Sequence, residues 1–244
     1  MAHVLHLYQE ERCLLDALAD FVAEGLRLDE GVLIIGSTPR WEQLLERLRS
    51  SGVDARGPAL RGQLRLVGVH LVLSTCFANG APVRHKFGQV MGAAFGLARM
   101  RYERVRVVSE LTDALWREGR SAGACALERA WRPLLAVHDV KLFCACSIDS
   151  LEGRAYDGTL QALCAAHTHV HPARDEAGFE EAVSEAVDEV LDPPLVEMLQ
   201  TLSAAHRPSA QMPPGQAILF WLKDNMPRTA EKVLSRARAR WSEQ

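Results

Sequence analysis

The sequence of 244 residues lacks any run of about 18 consecutive apolar residues, which is the length that a membrane-spanning helix needs. Its opening stretch, MAHVLHLYQEER, lacks the basic segment and apolar core of a secretory signal. It also lacks an excess of positive charge, since 28 Lys and Arg stand against 31 Asp and Glu. We therefore expect a cytoplasmic protein that has no membrane association and, taken as a whole, no affinity for nucleic acid.

A phosphate-binding loop is absent as well. Where the first strand-to-helix turn of a nucleotide-binding domain would carry G-x-x-x-x-G-K-[ST], this chain has Tyr8-Gln9-Glu10-Glu11-Arg12. The two carboxylates would repel a polyphosphate, and no glycine lets the backbone wrap around one. Since magnesium-ATP would have no clamp, we expect no ATP hydrolysis.

The serine-hydrolase motif G-x-S-x-G and the redox motif C-x-x-C do not occur either. In a cytoplasmic chain the six cysteines should be reduced. Cys144 and Cys146 alternate within KLFCACSID, so we interpret them as small buried residues on one face of a core strand. Burial would raise the pKa of the Cys144 thiol, which argues against thiol catalysis.

What the sequence does contain is an alternation of strand and helix patterns. The apolar run Val32-Leu33-Ile34-Ile35 is typical of a parallel strand that is covered on both faces. About five such strands, separated by helices, predict an α/β domain with a mainly parallel central sheet and helices on both faces. Binding sites of such sheets lie beyond the carboxyl ends of the strands. The polar residues expected there are Ser37, Thr38, Glu110, Asp113 and Asp149.

Between the third and fourth of these strands, the stretch from His70 to Gly80 is interpreted as a connection that ends in the turn signal Asn79-Gly80. The following helical segment, 83–100, carries Gly88, Gly92 and Gly96 at intervals of four. This spacing predicts a face that another helix or the sheet can approach closely.

The composition changes after Pro172, which suggests three parts: an α/β domain of 1–172, an acidic helical extension of 173–206, and a linker with a basic C-terminal helix in 207–244. The last part has seven Lys and Arg against three Asp and Glu, a net charge of +4. The basic helix can be a solvated surface helix, or it can dock on the acidic helix, in the same chain or in a partner. The apolar segment Ile218–Leu222 should pack on the domain or build a dimer.

Several stretches of the domain together resemble one family. They are the pattern H-x-x-x-x-Y formed by His3 and Tyr8, the segment LADFVAEGLRLDEGVLII, the strand before Glu110, the strand LFCACSID, and a histidine after the next helix. These features are similar to the MEDS domain, the methanogen/methylotroph sensory domain, over about 3–172. The resemblance implies a RecA/KaiC-like three-layer sandwich without a phosphate loop, a sensory role, a small organic ligand, and signalling modules as partners.

Two positions depart from the family pattern. Asp113 stands where many members have a tryptophan three residues after the acidic residue, and Trp116 lies three positions further on. The histidines that follow His167 in HTHVH are also outside the pattern. Both departures bear on the ligand, whose predicted contacts are His3, Tyr8, Ser37, Thr38, Glu110, Asp113, Trp116 and His167.

Two of these residues have structural alternatives. Glu110 can cap the following helix through its backbone amides instead of contacting a ligand. Tyr8 can be a core aromatic residue with a paired hydroxyl.

A metal site is a further hypothesis. On a strand, His167, His169 and His171 would point to one side with about 6–7 Å between neighbours. Zinc could bind there, with a fourth ligand from Cys164, His3 or Glu110. The structural alternative is a polar, half-exposed edge before Pro172.

The sequence therefore predicts a non-enzymatic sensory or regulatory protein that binds a small ligand and a signalling partner and self-associates through its C-terminal helices. One alternative is a metal-dependent hydrolase or nucleotide-binding enzyme that uses Glu110 and the three histidines. The other is an interaction scaffold without a ligand.

Overall fold

The computed structural model describes residues 2–156, 158–173 and 175–242. The fold is α/β, as predicted, with a mainly parallel central sheet, flanking helices and further helices toward the C-terminus. The strands are β1 His3–Tyr8, β2 Gly31–Gly36, β3 Leu64–Gly68, β4 Phe77–Ala78, β5 Ala81–Pro82, β6 Val105–Ser109, β7 Val140–Ser147 and β8 His169–His171.

The α-helices that the structure describes include one at Arg84–Arg99, where the sequence predicted a helical segment over 83–100. They are α1 Glu11–Arg27, α2 Thr38–Ser50, α3 Arg56–Leu60, α4 Val69–Cys76, α5 Arg84–Arg99, α6 Leu111–Arg117, α7 Ser121–Val137, α8 Thr159–Cys164, α9 Glu176–Val190, α10 Pro193–Ala205, α11 Pro214–Asn225 and α12 Pro227–Ser242. A 3₁₀ turn, Gly153–Tyr156, precedes α8.

The main sheet has six strands in the order β3-β2-β6-β7-β1-β8. The pairs β2–β3, β2–β6 and β6–β7 are parallel. Every residue of β2 and of β6 is buried, which is what apolar runs covered on both faces predict. Because Ile35 stands opposite Ser109, β2 and β6 end side by side.

The chain divides into two compact units. The N-terminal unit comprises the described residues of Met1–Val4 and Glu10–Ser147, and the C-terminal unit those of Leu5–Gln9 and Ile148–Gln244. All six cysteines are free, and Cys144 and Cys146 are buried in β7 as expected.

Two sequence-based expectations fail in the N-terminal unit. The stretch after β3 is the helix α4 followed by the β4–β5 hairpin, so only its turn was predicted correctly. Asn79 and Gly80 both have positive φ, 50° and 80°, which suits the tight turn of a hairpin. The glycines of α5 do not mediate close packing: a Cβ added at Gly88 or Gly96 would meet no described atom within 4 Å, and one added at Gly92 would lie 3.9 Å from His138 Nε2, an ordinary van der Waals distance.

The core of the N-terminal unit is aromatic between α5 and α7. Trp131 is fully buried, with its ring 4.7 Å from that of Phe87 in an edge arrangement and 6.3 Å from that of Phe95. Pairs of this kind contribute about 0.5–1.5 kcal/mol each beyond the buried area. They fix α7 against α5 and so hold the residues that α7 contributes to the interior.

A charged cluster is buried near the N-terminal end of β6. The Arg106 guanidinium donates to Glu30 and, at 2.7 Å, to Glu24, and it lies 4.9 Å from the ring centre of Phe21. Gly25 is required where α1 passes this side chain, because an added Cβ would lie 2.9 Å from Arg106 Cδ. Arg106 and Glu30 are each 1% exposed, so neither charge can turn to water.

The C-terminal unit is built largely from α9 to α12. Of the two alternatives for the basic helix, the structure shows docking on the acidic helix within the chain. Arg240 Nη2 lies 2.7 Å from Glu189, Arg240 Nε 2.9 Å from Glu185, and Arg236 Nε 3.0 Å from Glu189. The Phe179 and Trp241 rings add an edge contact at 6.3 Å.

The apolar segment Ile218–Leu222 also packs inside this unit. It lies on α11, where Leu219 and Leu222 are fully buried and the Phe220 ring lies 4.8 Å from that of Tyr156. In the part of the chain that the structure describes, no helix has the length and apolar character to cross a membrane.

Candidate functional site

The carboxyl ends of β2 and β6 carry the first polar cluster. Glu110 follows β6, and its backbone N–H donates to the carbonyl of Ile35 at 2.9 Å, which joins the two strand ends. The N–H of Ser37 donates to Glu110 Oε2 at 3.1 Å. Gly36 allows this approach, since a Cβ there would lie 2.7 Å from Glu110 Oε1.

Arg40 is the centre of this cluster. It lies in the first turn of α2, after the helix-starting Pro39, and is only 8% exposed. Its Nη1 lies 3.3 Å from Glu110 Oε2 and 3.3 Å from Asp113 Oδ2. Its Nε and Nη2 donate to the two oxygens of Glu11 at 2.6 and 3.0 Å, a bidentate arrangement.

Asp113 extends the cluster to α6 and β7. Its Oδ1 accepts the N–H of Ser147 at 2.9 Å, at the end of β7. Its Oδ2 lies 3.1 Å from Arg117 Nε, and Arg117 Nη2 lies 3.3 Å from Glu11 Oε2. The ends of β2, β6 and β7 are thus connected through Asp113 and its arginine partners. The side chains in this network come from α1, α2 and α6 and from Glu110.

Burial controls the protonation of Glu110. The pKa of its carboxyl is raised above the ordinary value of 4.5, chiefly because burial penalises the charged form. The charge of Arg40 and the amide of Ser37 act in the opposite direction, whereas Asp113 and Glu11 reinforce the rise. Glu110 is therefore easier to protonate than an exposed glutamate.

Of the predicted ligand contacts, the structure brings Ser37, Glu110 and Asp113 into one cluster. Thr38 begins α2 with an exposed side chain, and Trp116 is half-buried on α6. Glu110 stands at the N-cap position of α6 without a side-chain capping bond. The capping alternative is therefore wrong, because Arg40 and Ser37 hold the carboxylate.

Arg40 is the residue that the sequence reasoning missed. Its signal was its place in the first turn of a helix that follows a buried strand, where side chains face the strand ends. Glu11 was expected only to repel a polyphosphate, and the structure gives it two arginine partners.

A second polar cluster lies in the interior of the N-terminal unit. His3 Nε2 on β1 lies 3.1 Å from Glu128 Oε2 on α7 and 3.5 Å from Cys144 Sγ on β7. The Thr112 hydroxyl on α6 donates to the other oxygen, Glu128 Oε1. The pKa of the Cys144 thiol is raised well above 9.0, first by burial and then by the neighbouring Glu128 carboxylate.

The predicted histidine cluster lies in the C-terminal unit, and its three members differ. His167 precedes β8, is buried, and has Nδ1 2.7 Å from the carbonyl of Leu163. His171 Nδ1 lies 2.9 Å from Glu176, and His169 Nδ1 lies 2.8 Å from the Thr168 hydroxyl. Strand alternation therefore applies to His169 and His171 only.

Tyr8 and His6 belong to the same unit. Tyr8 ends β1 and is 3% exposed, which agrees with an aromatic residue in the core. The His6 ring lies 6.4 Å from that of His171.

The C-terminal unit also contains a cavity of about 270 Å³ between α9, α10 and α11. Its polar lining includes Glu180, Ser203 and Arg207. The Glu180 carboxylate accepts the N–H of Gly215 at 2.9 Å with each oxygen, and burial raises its pKa. This carboxylate is thus engaged in holding the start of α11.

The geometry defines an α/β domain whose strand ends carry charged side chains in place of a phosphate loop. A family model, described as the methanogen/methylotroph, DcmR sensory domain (MEDS), matches residues 2–168. The match covers more than half of the chain, so the chain belongs to the MEDS family, as the resemblance over about 3–172 indicated. Among curated proteins, no match to the sequence is found.

Proposed function

We propose that this chain is a non-enzymatic sensory protein that binds a small organic ligand at the ends of β2 and β6. In this proposal, the domain is a RecA/KaiC-like sandwich whose nucleotide site has been converted into a sensor site. The family assignment supports the sensory role. The arginine-carboxylate cluster supports the position of the ligand.

The observation that carries the proposal is the pairing of Glu11 with Arg40 and Arg117. The N-terminus of a helix after a strand is where a phosphate would bind, because unpaired N–H groups and the helix dipole favour an anion there. In α1 that place has a carboxylate of the chain itself, Glu11, held by two guanidiniums. A polyphosphate would have to displace it.

The charges of the cluster favour a neutral or cationic ligand. Glu11, Glu110 and Asp113 supply three carboxylates, whereas the arginines that pair with them are Arg40 and Arg117. A small cation beside Glu110 would balance the remaining charge. A neutral polar molecule could instead exchange hydrogen bonds with protonated Glu110.

The signal would arise from competition for Glu110. A ligand that binds this carboxylate weakens its contact with Arg40, and Arg40 also contacts Asp113 in α6. The ligand then favours one of two arrangements of α2 and α6, by as much as its affinities for the two differ.

The test uses methylammonium and methanol, a cation and a neutral molecule of the one-carbon class suggested by the family's name. Calorimetric titration should show saturable binding of one of them to the full chain. Arg40→Gln should change that affinity, because it alters the cluster. Arg49→Gln should not, since Arg49 lies on the same helix but is exposed and pairs with Glu46, three residues before it.

Magnesium-ATP is the contrasting probe. A thermal shift with magnesium-ATP, together with release of inorganic phosphate, would overturn the sensor proposal in favour of an enzyme. Absence of binding by every small molecule, with a stable protein complex instead, would favour the scaffold.

Self-association through the C-terminal helices and a signalling partner remain predictions. Leu195 and Met198 of α10 are 40% and 48% exposed, which is compatible with such a contact. Light scattering of the full chain and of Met198→Glu tests it. A monomeric mass for the unaltered chain would contradict the prediction of a homo-oligomer.

A further inference from the structure

Three side chains that ligate metals meet in the interior of the N-terminal unit. His3, Glu128 and Cys144 are 3%, 0% and 0% exposed. They come from β1, α7 and β7, so the fold and not a local loop brings them together. The ligand atoms of these three side chains all lie within 4.8 Å of one another.

The separations between the three ligand atoms fit one tetrahedral ion. With bonds of about 2.0–2.1 Å to nitrogen and oxygen and about 2.3 Å to sulfur, tetrahedral zinc places its ligands about 3.3–3.6 Å apart. The observed separations are 3.1 Å for His3 Nε2 to Glu128 Oε2, 3.5 Å for His3 Nε2 to Cys144 Sγ and 3.8 Å for Cys144 Sγ to Glu128 Oε2. Small side-chain shifts would complete the geometry.

Charge also favours a divalent ion at this place. A carboxylate that is fully buried requires compensation, and Glu128 contacts an imidazole, a hydroxyl and a thiol. A divalent cation together with one carboxylate, one thiolate and one neutral imidazole has no net charge, so the occupied site would carry no uncompensated charge. Binding would release the thiol proton of Cys144, since the thiolate is the ligand.

The surroundings provide an outer shell. The hydroxyl of Thr112 donates to Glu128 Oε1 and leaves Oε2 turned toward His3 and Cys144. Hydrogen bonds of this kind orient ligating carboxylates and strengthen metal sites.

We propose that His3, Glu128 and Cys144 form a binding site for a single divalent ion of the zinc class. Imidazole, carboxylate and thiolate together suit zinc and not the hard ions magnesium and calcium. The three residues leave a fourth coordination position for water or another ligand. This site is separate from the Arg40 cluster and does not depend on the proposed organic ligand.

The experiment uses the full chain, stripped with a chelator and freed of any affinity tag, and titrates it with zinc and with cobalt(II). About one equivalent of zinc should bind and raise the unfolding temperature. Cobalt(II) should give the visible bands of a tetrahedral ion together with the near-ultraviolet charge-transfer band of a thiolate ligand.

The variants distinguish this site from a metal bound elsewhere in the chain. Cys144→Ala should abolish the charge-transfer band, and Glu128→Gln should weaken binding while it keeps the shape of the side chain. Thr112→Ala should weaken zinc binding by about 10- to 100-fold, as expected for loss of an outer-shell bond. The matched control is Cys146→Ala, a buried cysteine of the same strand, which should bind zinc like the unaltered chain.

A last variant tests the histidines of the C-terminal unit. His169→Ala with His171→Ala should keep the metal. The proposal fails if the unaltered chain binds no zinc or if Cys144→Ala keeps the cobalt spectrum. It also fails if the double histidine variant loses the metal while Cys144→Ala and Glu128→Gln keep it. If Cys144→Ala does not fold, the cobalt titration of Glu128→Gln decides, because unchanged affinity there also refutes the site.

Discussion

The guanidinium of Arg40 lies 3.3 Å from the carboxylate of Glu110, yet the pKa of that carboxyl is raised. Burial therefore has a larger effect on Glu110 than the arginine does. A buried carboxyl group with a raised pKa is a common feature of functional sites.

The raised pKa has a consequence for stability. Because the folded protein holds this proton more tightly than the unfolded chain, Glu110 contributes most to stability below its ordinary pKa of 4.5. The contribution is lost as the pH rises through the folded-state pKa. The free energy of unfolding of the unaltered chain, relative to Glu110→Gln, should therefore fall between acidic and neutral pH.

Urea unfolding of both proteins over a pH series measures this difference. The groups that face Glu110 are Arg40, Asp113, Glu11 and the amide of Ser37. They are present in both proteins, so the comparison reports on Glu110 itself. If the free energy of unfolding of the unaltered chain rises with pH relative to that of Glu110→Gln, the raised pKa of Glu110 is contradicted.

The buried pair of Arg106 and Glu30 should be a major determinant of stability. Glu30→Ala leaves a buried guanidinium without its nearest partner, which should lower the free energy of unfolding by about 3–5 kcal/mol. Chemical denaturation measures the effect. Glu46→Ala is the control, because the pair of Glu46 and Arg49 is exposed and should contribute nothing measurable.

The glycines allow a test of packing. Gly88→Ala should raise the free energy of unfolding by about 0.5–1 kcal/mol, because the position is helical and an added methyl group meets no described atom. Gly123→Ala should lower it by about 1–3 kcal/mol, since the new Cβ would overlap the carbonyl oxygen of Gly80. Equal effects from both substitutions, measured by thermal unfolding, would show that the α5–α7 region packs differently.

The ion pairs between α12 and α9 should respond to charge and to salt. Arg240→Glu places a carboxylate beside Glu185 and Glu189 and should speed amide hydrogen exchange in α12. Because these charges are exposed, high salt should reduce the difference from the unaltered chain. Arg228→Glu, at the opposite end of α12, is the control. If the amide exchange rate of α12 in Arg240→Glu does not depend on salt, charge repulsion does not cause the faster exchange.

The sequence was sufficient where one physical pattern dominated. The apolar run of β2, the core strand β7 and the acidic helix α9 were predicted because burial on one or both faces leaves a clear periodicity. The pairing of α12 with α9 was one of two alternatives for the basic helix, and opposite charge was the reason for considering it.

The failures have physical reasons as well. The helix α4 has an almost continuous apolar sequence, VHLVLSTC, whose period is ambiguous between helix and strand. The spacing of Gly88, Gly92 and Gly96 shows that they share one face of α5 but does not show that the face is left open. Whether a helix face is covered depends on which other elements pack against it, and the spacing of its residues does not show that.

The sequence predicted some residues of the two polar clusters and missed others. Strand ends identified Ser37, Glu110 and Asp113, because that rule needs only the order of elements. The partners Arg40 and Glu128 come from helices whose rotation about their own axes the sequence does not fix. The cluster of His3, Glu128 and Cys144 could therefore be found only in three dimensions.

The two polar clusters of the N-terminal unit are joined by neighbouring residues of α6. Thr112 donates to Glu128, and Asp113, the next residue, contacts Arg40. A metal at one cluster and an organic ligand at the other would therefore act on the same helical turn. Thermodynamic linkage then makes the effect mutual: the factor by which the metal changes the affinity for the ligand equals the factor by which the ligand changes the affinity for the metal. The domain would thus report a combination of two chemical inputs and not either one alone.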